Sequence, residues 1–389
     1  MRRMILTVIT VIVVMTCSAS FAENKYLQIE PFSEDFAAVQ NEDELWGYID
    51  NAGELVIPCE WERAGSFTNG IASVRKNHKY GCINKNGEII IPCEWNGYSP
   101  LRFSEGLAPV LNDEGLWGFI NMEGAVVIEC KWPDVLIPHF SEGLAAVGQN
   151  GKMGYINKMG QIVIPCQYQS AGSFSHGYAR VRDDEGLFFI NTKGEEAFPE
   201  FPRATCIDSF REDGIAYIEF KNSTGVFINT EGKTVCMLPD GIKYRSNFRE
   251  GLAGVAKMNK HGEYVGCEGF IDRSGKTVIP LELYSSYYHF INGVTSVPDR
   301  RITASDKQIR YGVIDHAGNF VYPFLLEKAV VFTEKVAEGI QDGFAGAINT
   351  DGDVIVPFEY DSVRVGDGFI LCLKEGRISI FDYTGKMLK

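Results

Sequence analysis

Residues 80–95 read YGCINKNGEIIIPCEW, with two cysteines and a glutamate gathered around a glycine turn. Taken alone, Cys82, Cys93 and Glu94 suggest a metal or redox site. The same phrase elsewhere in the chain points away from chemistry. Its strand-and-turn core recurs as Gly47-Tyr48-Ile49-Asp50, Gly118-Phe119-Ile120-Asn121 and Gly154-Tyr155-Ile156-Asn157. It continues in looser form at Ile190-Asn191, Ile228-Asn229, Ile271-Asp272, Ile314-Asp315, Ile348-Asn349 and Phe381-Asp382. Ten copies, stepped by 34, 37, 36, 34, 38, 43, 43, 34 and 33 residues, are the mark of a tandem-repeat protein.

The turn is the most regular part of the repeat. In every copy Asn or Asp is followed three residues later by glycine: Gly53, Gly87, Gly124, Gly160, Gly194, Gly232, Gly275, Gly318, Gly352 and Gly385. An Asx side chain accepts from the backbone at the head of a type I turn, and a left-handed glycine then closes a hairpin with a bulge. These glycines are therefore assigned to structural turns. An apolar strand such as IIIP or IVIP follows, and in eight copies proline stands near its end (Pro58, Pro92, Pro165, Pro199, Pro239, Pro280, Pro323 and Pro357). Proline cannot donate to a ladder, so it is expected to mark where pairing stops. Within 80–95 the simple register sets Cys82 opposite Ile90.

A second phrase, FSEGLA, stands at 103–108 and again at 140–145, with variants beginning at Phe67, Phe174, Phe248 and Phe290. It supplies another strand, so each unit reads as a meander of about three short strands. Both faces of the central hairpin are apolar, and stacked neighbours are needed to cover them. The predicted fold is all-β: a tandem repeat of about ten β-meander or hairpin units over residues 23–389, arranged as an elongated superhelical stack. A closed, propeller-like ring is the alternative. Ten blades and steps of up to 43 residues fit a ring poorly.

The chain opens MRRMILTVITVIVVMTCSASFA. Two arginines, a short apolar run and a small-x-small end make residues 1–22 a secretory signal peptide, with cleavage near Ala22. An uncleaved anchor and lipidation at Cys17 are the minor readings. The mature chain is thus expected to be exported (periplasmic, secreted or at the cell surface), with no transmembrane segment. Loss of Arg2 and Arg3 takes the formal charge from −14 to −16. So negative a field repels a phosphate backbone, which argues against nucleic acid as a partner.

Trp46-Gly47-Tyr48-Ile49-Asp50 and Trp117-Gly118-Phe119-Ile120-Asn121, with the glycine turn, VIP and FSEGLA phrases, resemble the WG (KWG) repeat proteins of bacteria. The resemblance covers roughly residues 26–389 and loosens after the fourth unit, where Trp-Gly becomes Leu187-Phe188, Gly225-Val226 or Ala345-Gly346. It implies a β-strand repeat without a general catalytic role. No catalytic residue carries over from it.

Cys59, Cys93, Cys130 and Cys166 share one slot, each two residues before an aromatic ring. Equivalent positions one unit apart lie roughly 14 Å from one another, too far for a disulfide. Buried small hydrophobes are the preferred reading; a pair of nonequivalent cysteines and a metal site are the alternatives. The histidines show no ligand spacing, and no nucleophile elbow or phosphate loop is present. Neither a catalytic residue, nor a metal, nor a cofactor is assigned. The acidic loops at 41–44, 112–115 and 183–186 lack the spacing of a dedicated calcium loop. Trp61, Trp95 and Trp132 recur just past a strand end, each beside a charged residue, and are the candidate partner-binding residues. The alternative is that their rings cover the seam between units. The expected function is a non-catalytic binding scaffold at the cell envelope, taking a protein or glycan. The rival is an exported enzyme, or enzyme accessory, with its site in irregular insertions such as 298–310.

Overall fold

A computed structural model describes residues 25–97, 100–133, 138–221, 225–239, 241–258, 264–283, 289–299 and 309–389. Residues 1–22, expected as a signal peptide, with Cys17, as well as His261, the formal glycosylation sequence Asn222-Ser223-Thr224 and residues 300–308 of the insertion, lie outside them. All regular structure among the described residues is β.

Ten separate antiparallel sheets of three or four strands follow one another along the chain, each pairing its strands in sequence order. Their spans define ten units: 26–61, 63–95, 107–132, 140–168, 170–197, 206–237, 242–283, 294–326, 336–360 and 362–382. The all-β repeat stands as read. Its arrangement is the alternative one, because the chain closes on itself.

Closure is visible in the core. Among the described residues there are ten apolar clusters, and each takes residues from one unit and the next. Nine seams follow the chain. The tenth joins Tyr26, Ile29, Phe32, Ala37, Val39 and Ile49 of unit 1 to Leu371, Leu373 and Ile380 of unit 10. Across it the Tyr26 N–H donates to the Gly376 carbonyl at 2.9 Å, and the Phe32 and Phe369 rings sit 5.4 Å apart. Lys389 reaches back to Glu54 at 2.7 Å. The expected open stack would leave two apolar end faces in water; a ring leaves none.

The outer hairpins of units 1–4 and 7–9 depart from the simple register. Tyr80 faces Trp95, Cys82 faces Ile91 and Ile83 faces Ile89, so Ile90 is skipped and a wide bulge opens opposite Gly81. Pro92 lies in that bulge, and pairing resumes beyond it. Units 1 and 4 repeat the pattern with Pro58 and Pro165. These prolines therefore interrupt the ladder without ending it, where a missing N–H costs nothing. The bulge also explains the glycine of the opening phrase. A Cβ on Gly47 would stand 2.5 Å from the Ile57 carbonyl oxygen, and one on Gly81 2.4 Å from that of Ile91. No side chain fits there.

Candidate functional site

The three candidate tryptophans lie in the seams. Trp61 and Trp132 are 1% and 3% exposed, and Trp95 is partly buried against the core between units 2 and 3. Trp61 packs with Trp46, Tyr48 and Phe67 between units 1 and 2, and Trp132 with Trp117 and Phe119 between units 3 and 4. The indole Nε1 atoms of Trp61, Trp95 and Trp132 are all buried without a hydrogen-bond partner. An exposed row of stacking platforms is therefore not what these rings form. The strand end that holds them is covered by the neighbouring unit, which a single repeat does not reveal.

The shared cysteine slot is half-buried. The Sγ atoms of Cys59 and Cys130 lie 2.8 and 2.7 Å from where a Cβ would stand on Gly47 and Gly118, filling the space above the bulge. Burial, with Cys93 nearby, pushes the Cys82 thiol up to about 12. Cys59, Cys82, Cys93, Cys130, Cys166, Cys206, Cys236 and Cys372 form no disulfide, and no group of three or more metal-ligating side chains occurs among the described residues. The acidic loops are hairpin tips: Asn41 Oδ1 accepts from the Asp43 and Leu45 N–H groups, and Asn112 Oδ1 from those of Glu114 and Leu116. The Asn41 and Asn112 side-chain oxygens are thus engaged by backbone.

The assigned turn glycines all have positive φ, from +74° at Gly53 and Gly160 to +89° at Gly352. They share one end of the ring with the FSEG turns. Each FSEG is a two-residue turn: Ser104 N–H donates to Leu107 O, and Leu107 N–H donates back to Ser104 O. Both central residues are left-handed, Glu105 at +52° and Gly106 at +84°. A glutamate there is strained, and its side chain shows the compensation. The Glu105 carboxylate accepts from the Gly143 N–H of the next turn at 3.1 Å, and Ser104 Oγ donates to the Phe140 carbonyl. Glu34 likewise accepts from Gly70 at 2.9 Å, Glu142 from Gly177 at 2.8 Å, and Glu250 from Asn292 and Gly293 at 2.7 and 2.9 Å. Asp367 of unit 10 accepts from the Glu34 N–H and carries the chain of turns through the closing seam.

The outer strands present a different surface. In units 1, 3 and 4 the second and third residues after the turn glycine are solvent-facing aliphatics, Leu55 and Val56, Val126 and Val127, Ile162 and Val163, each 38–51% exposed, and in unit 2 Ile89 is 53% exposed. Glu54, Glu60, Glu88, Glu94, Glu123 and Glu129 are exposed beside them. Sequence reasoning passed over these positions because both faces of the hairpin read as buried.

The model of a family described as "WG containing repeat" matches residues 46–80, 80–115, 117–152, 153–186, 269–297, 311–338 and 346–371, more than half of the chain. The chain belongs to the WG-repeat family. The matched WG segments include the four regular units, and the gap between 186 and 269 spans units whose Trp-Gly pair is lost. No curated protein matches the chain. Among solved structures it is similar to BamB from Moraxella catarrhalis at 13% identity and TM-score 0.35, covering 92% of this WG-repeat chain and 94% of that one. It is also similar to AztD from Citrobacter koseri at 11% identity and TM-score 0.38, covering 84% and 98%.

Proposed function

We propose that the protein is a non-catalytic exported scaffold that binds a protein partner at the cell envelope through the outer edge of units 1–4. The observation that carries this reading is the recurrence of exposed aliphatics in one slot of four consecutive units. Monomeric surfaces rarely repeat apolar exposure in register without something to cover it. A protein is favoured over a glycan because sugar faces stack on exposed rings, and Trp61 and Trp132 are buried. The flanking glutamates favour a partner whose contact surface is apolar and basic. Strand addition is disfavoured, since Pro58, Pro92 and Pro165 interrupt the edge. Export rests on the basic start, apolar run and small-residue end of residues 1–22.

The test compares capture from an envelope fraction by the native protein and by a triple variant, Val56→Glu, Ile89→Glu and Val127→Glu. Proteins retained by the first and lost by the second, with both melting alike, support the reading. Identical capture profiles would defeat it.

A further inference from the structure

The internal repeat supplies its own standard, and two departures from it meet in one cavity. In units 1, 3, 4 and 5 the second residue of the leading turn is serine, whose Oγ donates to the next unit's phenylalanine carbonyl. Units 6 and 7 carry arginine there instead, Arg211 and Arg249, and of the two Arg249 reaches that cavity. Eight units place alanine second in the strand that follows, at Ala37, Ala72, Ala108, Ala145, Ala179, Ala216, Ala253 and Ala337. Unit 8 has Thr295 there, only 2% exposed, and its Oγ1 is buried with no hydrogen-bond partner. A buried hydroxyl without a partner costs about 1–3 kcal/mol, so an alanine slot does not take one without compensation.

Arg249, His289 and Thr295 line a cavity of about 190 Å³ whose remaining walls include Ile291, Val294 and Phe332. The Arg249 side chain makes no ion pair with any described acid. Two carboxylates of this region are already engaged: Asp208 is held by Tyr244 and Asn247, each at 2.7 Å, and by Arg211, and Glu250 by the Asn292 and Gly293 N–H groups and His316. Burial, then Arg249 and Arg211, hold the His289 imidazole below its ordinary value against the opposing pull of Asp208, so the ring is favoured in its neutral form beside Arg249 in the cavity wall. In a chain of formal charge −14, Arg249 is thus a cation set against largely apolar cavity walls. The cavity holds about six waters' share of liquid volume, the size of a short branched acid.

We infer that this cavity between units 7, 8 and 9 binds a small aliphatic carboxylate, with Arg249 receiving the carboxylate and Ile291, Val294 and Phe332 the hydrocarbon. This small-molecule site is separate from the protein-binding edge of units 1–4, and either can fail alone. The probe is 3-methylbutanoate, followed by calorimetry and by nuclear Overhauser contacts from its methyl groups. Saturable binding is expected, with contacts to Ile291, Val294 and Phe332. The uncharged 3-methylbutanamide should bind at least about tenfold more weakly, and Arg249→Gln should lose at least about tenfold in affinity. Arg249→Lys should keep most of the binding. Absence of saturation up to the order of 10 mM, unchanged affinity in Arg249→Gln, or methyl contacts mapping elsewhere would each overturn the site. Should Arg249→Gln misfold, the amide comparison and the contact map on the native protein decide.

Discussion

Gly81 and Gly106 are both glycines the fold requires, for different reasons. Gly81 faces backbone: a Cβ there meets the Ile91 oxygen at 2.4 Å, and that oxygen belongs to a paired strand. Gly106 has open space around it and is held only by its φ of +84°. Gly81→Ala should therefore cost about 1–3 kcal/mol or more through forced displacement, whereas Gly106→Ala should cost about 1 kcal/mol in backbone strain. Denaturant titration of the two variants checks the order. Trp132→Ala should cost about 3–5 kcal/mol, because the ring fills the seam between units 3 and 4. A melting curve left unchanged would return that ring to the surface. Cysteine chemistry should follow burial in the same way. Cys206 is exposed, while Cys82, Cys236 and Cys372 are buried, and burial pushes Cys372 up to about 12. Alkylation of the native protein at pH 8, read by peptide mass, should mark Cys206 first and reach those three only on unfolding.

Among the elements, the leading turns bind one unit to the next, and their carboxylates make the link sensitive to acid. Lys158 first, then the Gly143 N–H, hold the Glu105 carboxyl below its ordinary value of 4.5 against its partial burial. Burial opposes the charged form of Glu34, but the Gly70 and Asn69 N–H groups and Lys85 outweigh it. Each group thus has a folded value below its unfolded one. The stability it contributes is present in full above the ordinary value of 4.5 and is lost as pH falls through the lowered folded value. Glu34→Gln with Glu105→Gln should lower the melting temperature at pH 7 and shrink its decline on acidification. A decline equal to that of the native protein would show that these links contribute nothing.

For the whole molecule, ring closure determines how the chain can be cut. The first and last units share a core cluster, and the Tyr26 N–H bonds to Gly376 O. Joining residue 389 to residue 25 through a short glycine-serine linker and opening the exposed tip at Asn150-Gly151 should therefore leave the fold intact. The permutant should keep the circular dichroism of the native protein and melt close to it. Removing residues 362–389 instead exposes two apolar faces, those of units 9 and 1, and should destabilise far more. Equal melting of the truncated and native chains would contradict closure.

What the sequence by itself determined is everything local. The Asx-x-x-Gly spacing specifies the hairpin because the turn's hydrogen bonds lie within five residues, from Asp50 N to Glu54 O and from Gly53 N to Asp50 O. The ten-fold recurrence specifies the all-β repeat, and the absence of a polar face on the central strands specifies that neighbours cover both sides. The bulge was half legible: the proline and the Gly47 or Gly81 that oppose it were conspicuous, but their meeting depends on a cross-strand register that a strand's own residues do not state. The candidate site was the least legible part. Whether Trp61 faces water or Phe67 is settled by the next unit, and whether Ile89 is covered is settled by nothing beyond the outer strand. Only the tertiary structure decided between stack and ring. The rotation between adjacent units arises from how side chains of two sheets interdigitate, a small angle at each seam that no single repeat encodes. Summed over ten seams, it brings Ile29 against Leu371 and closes the chain.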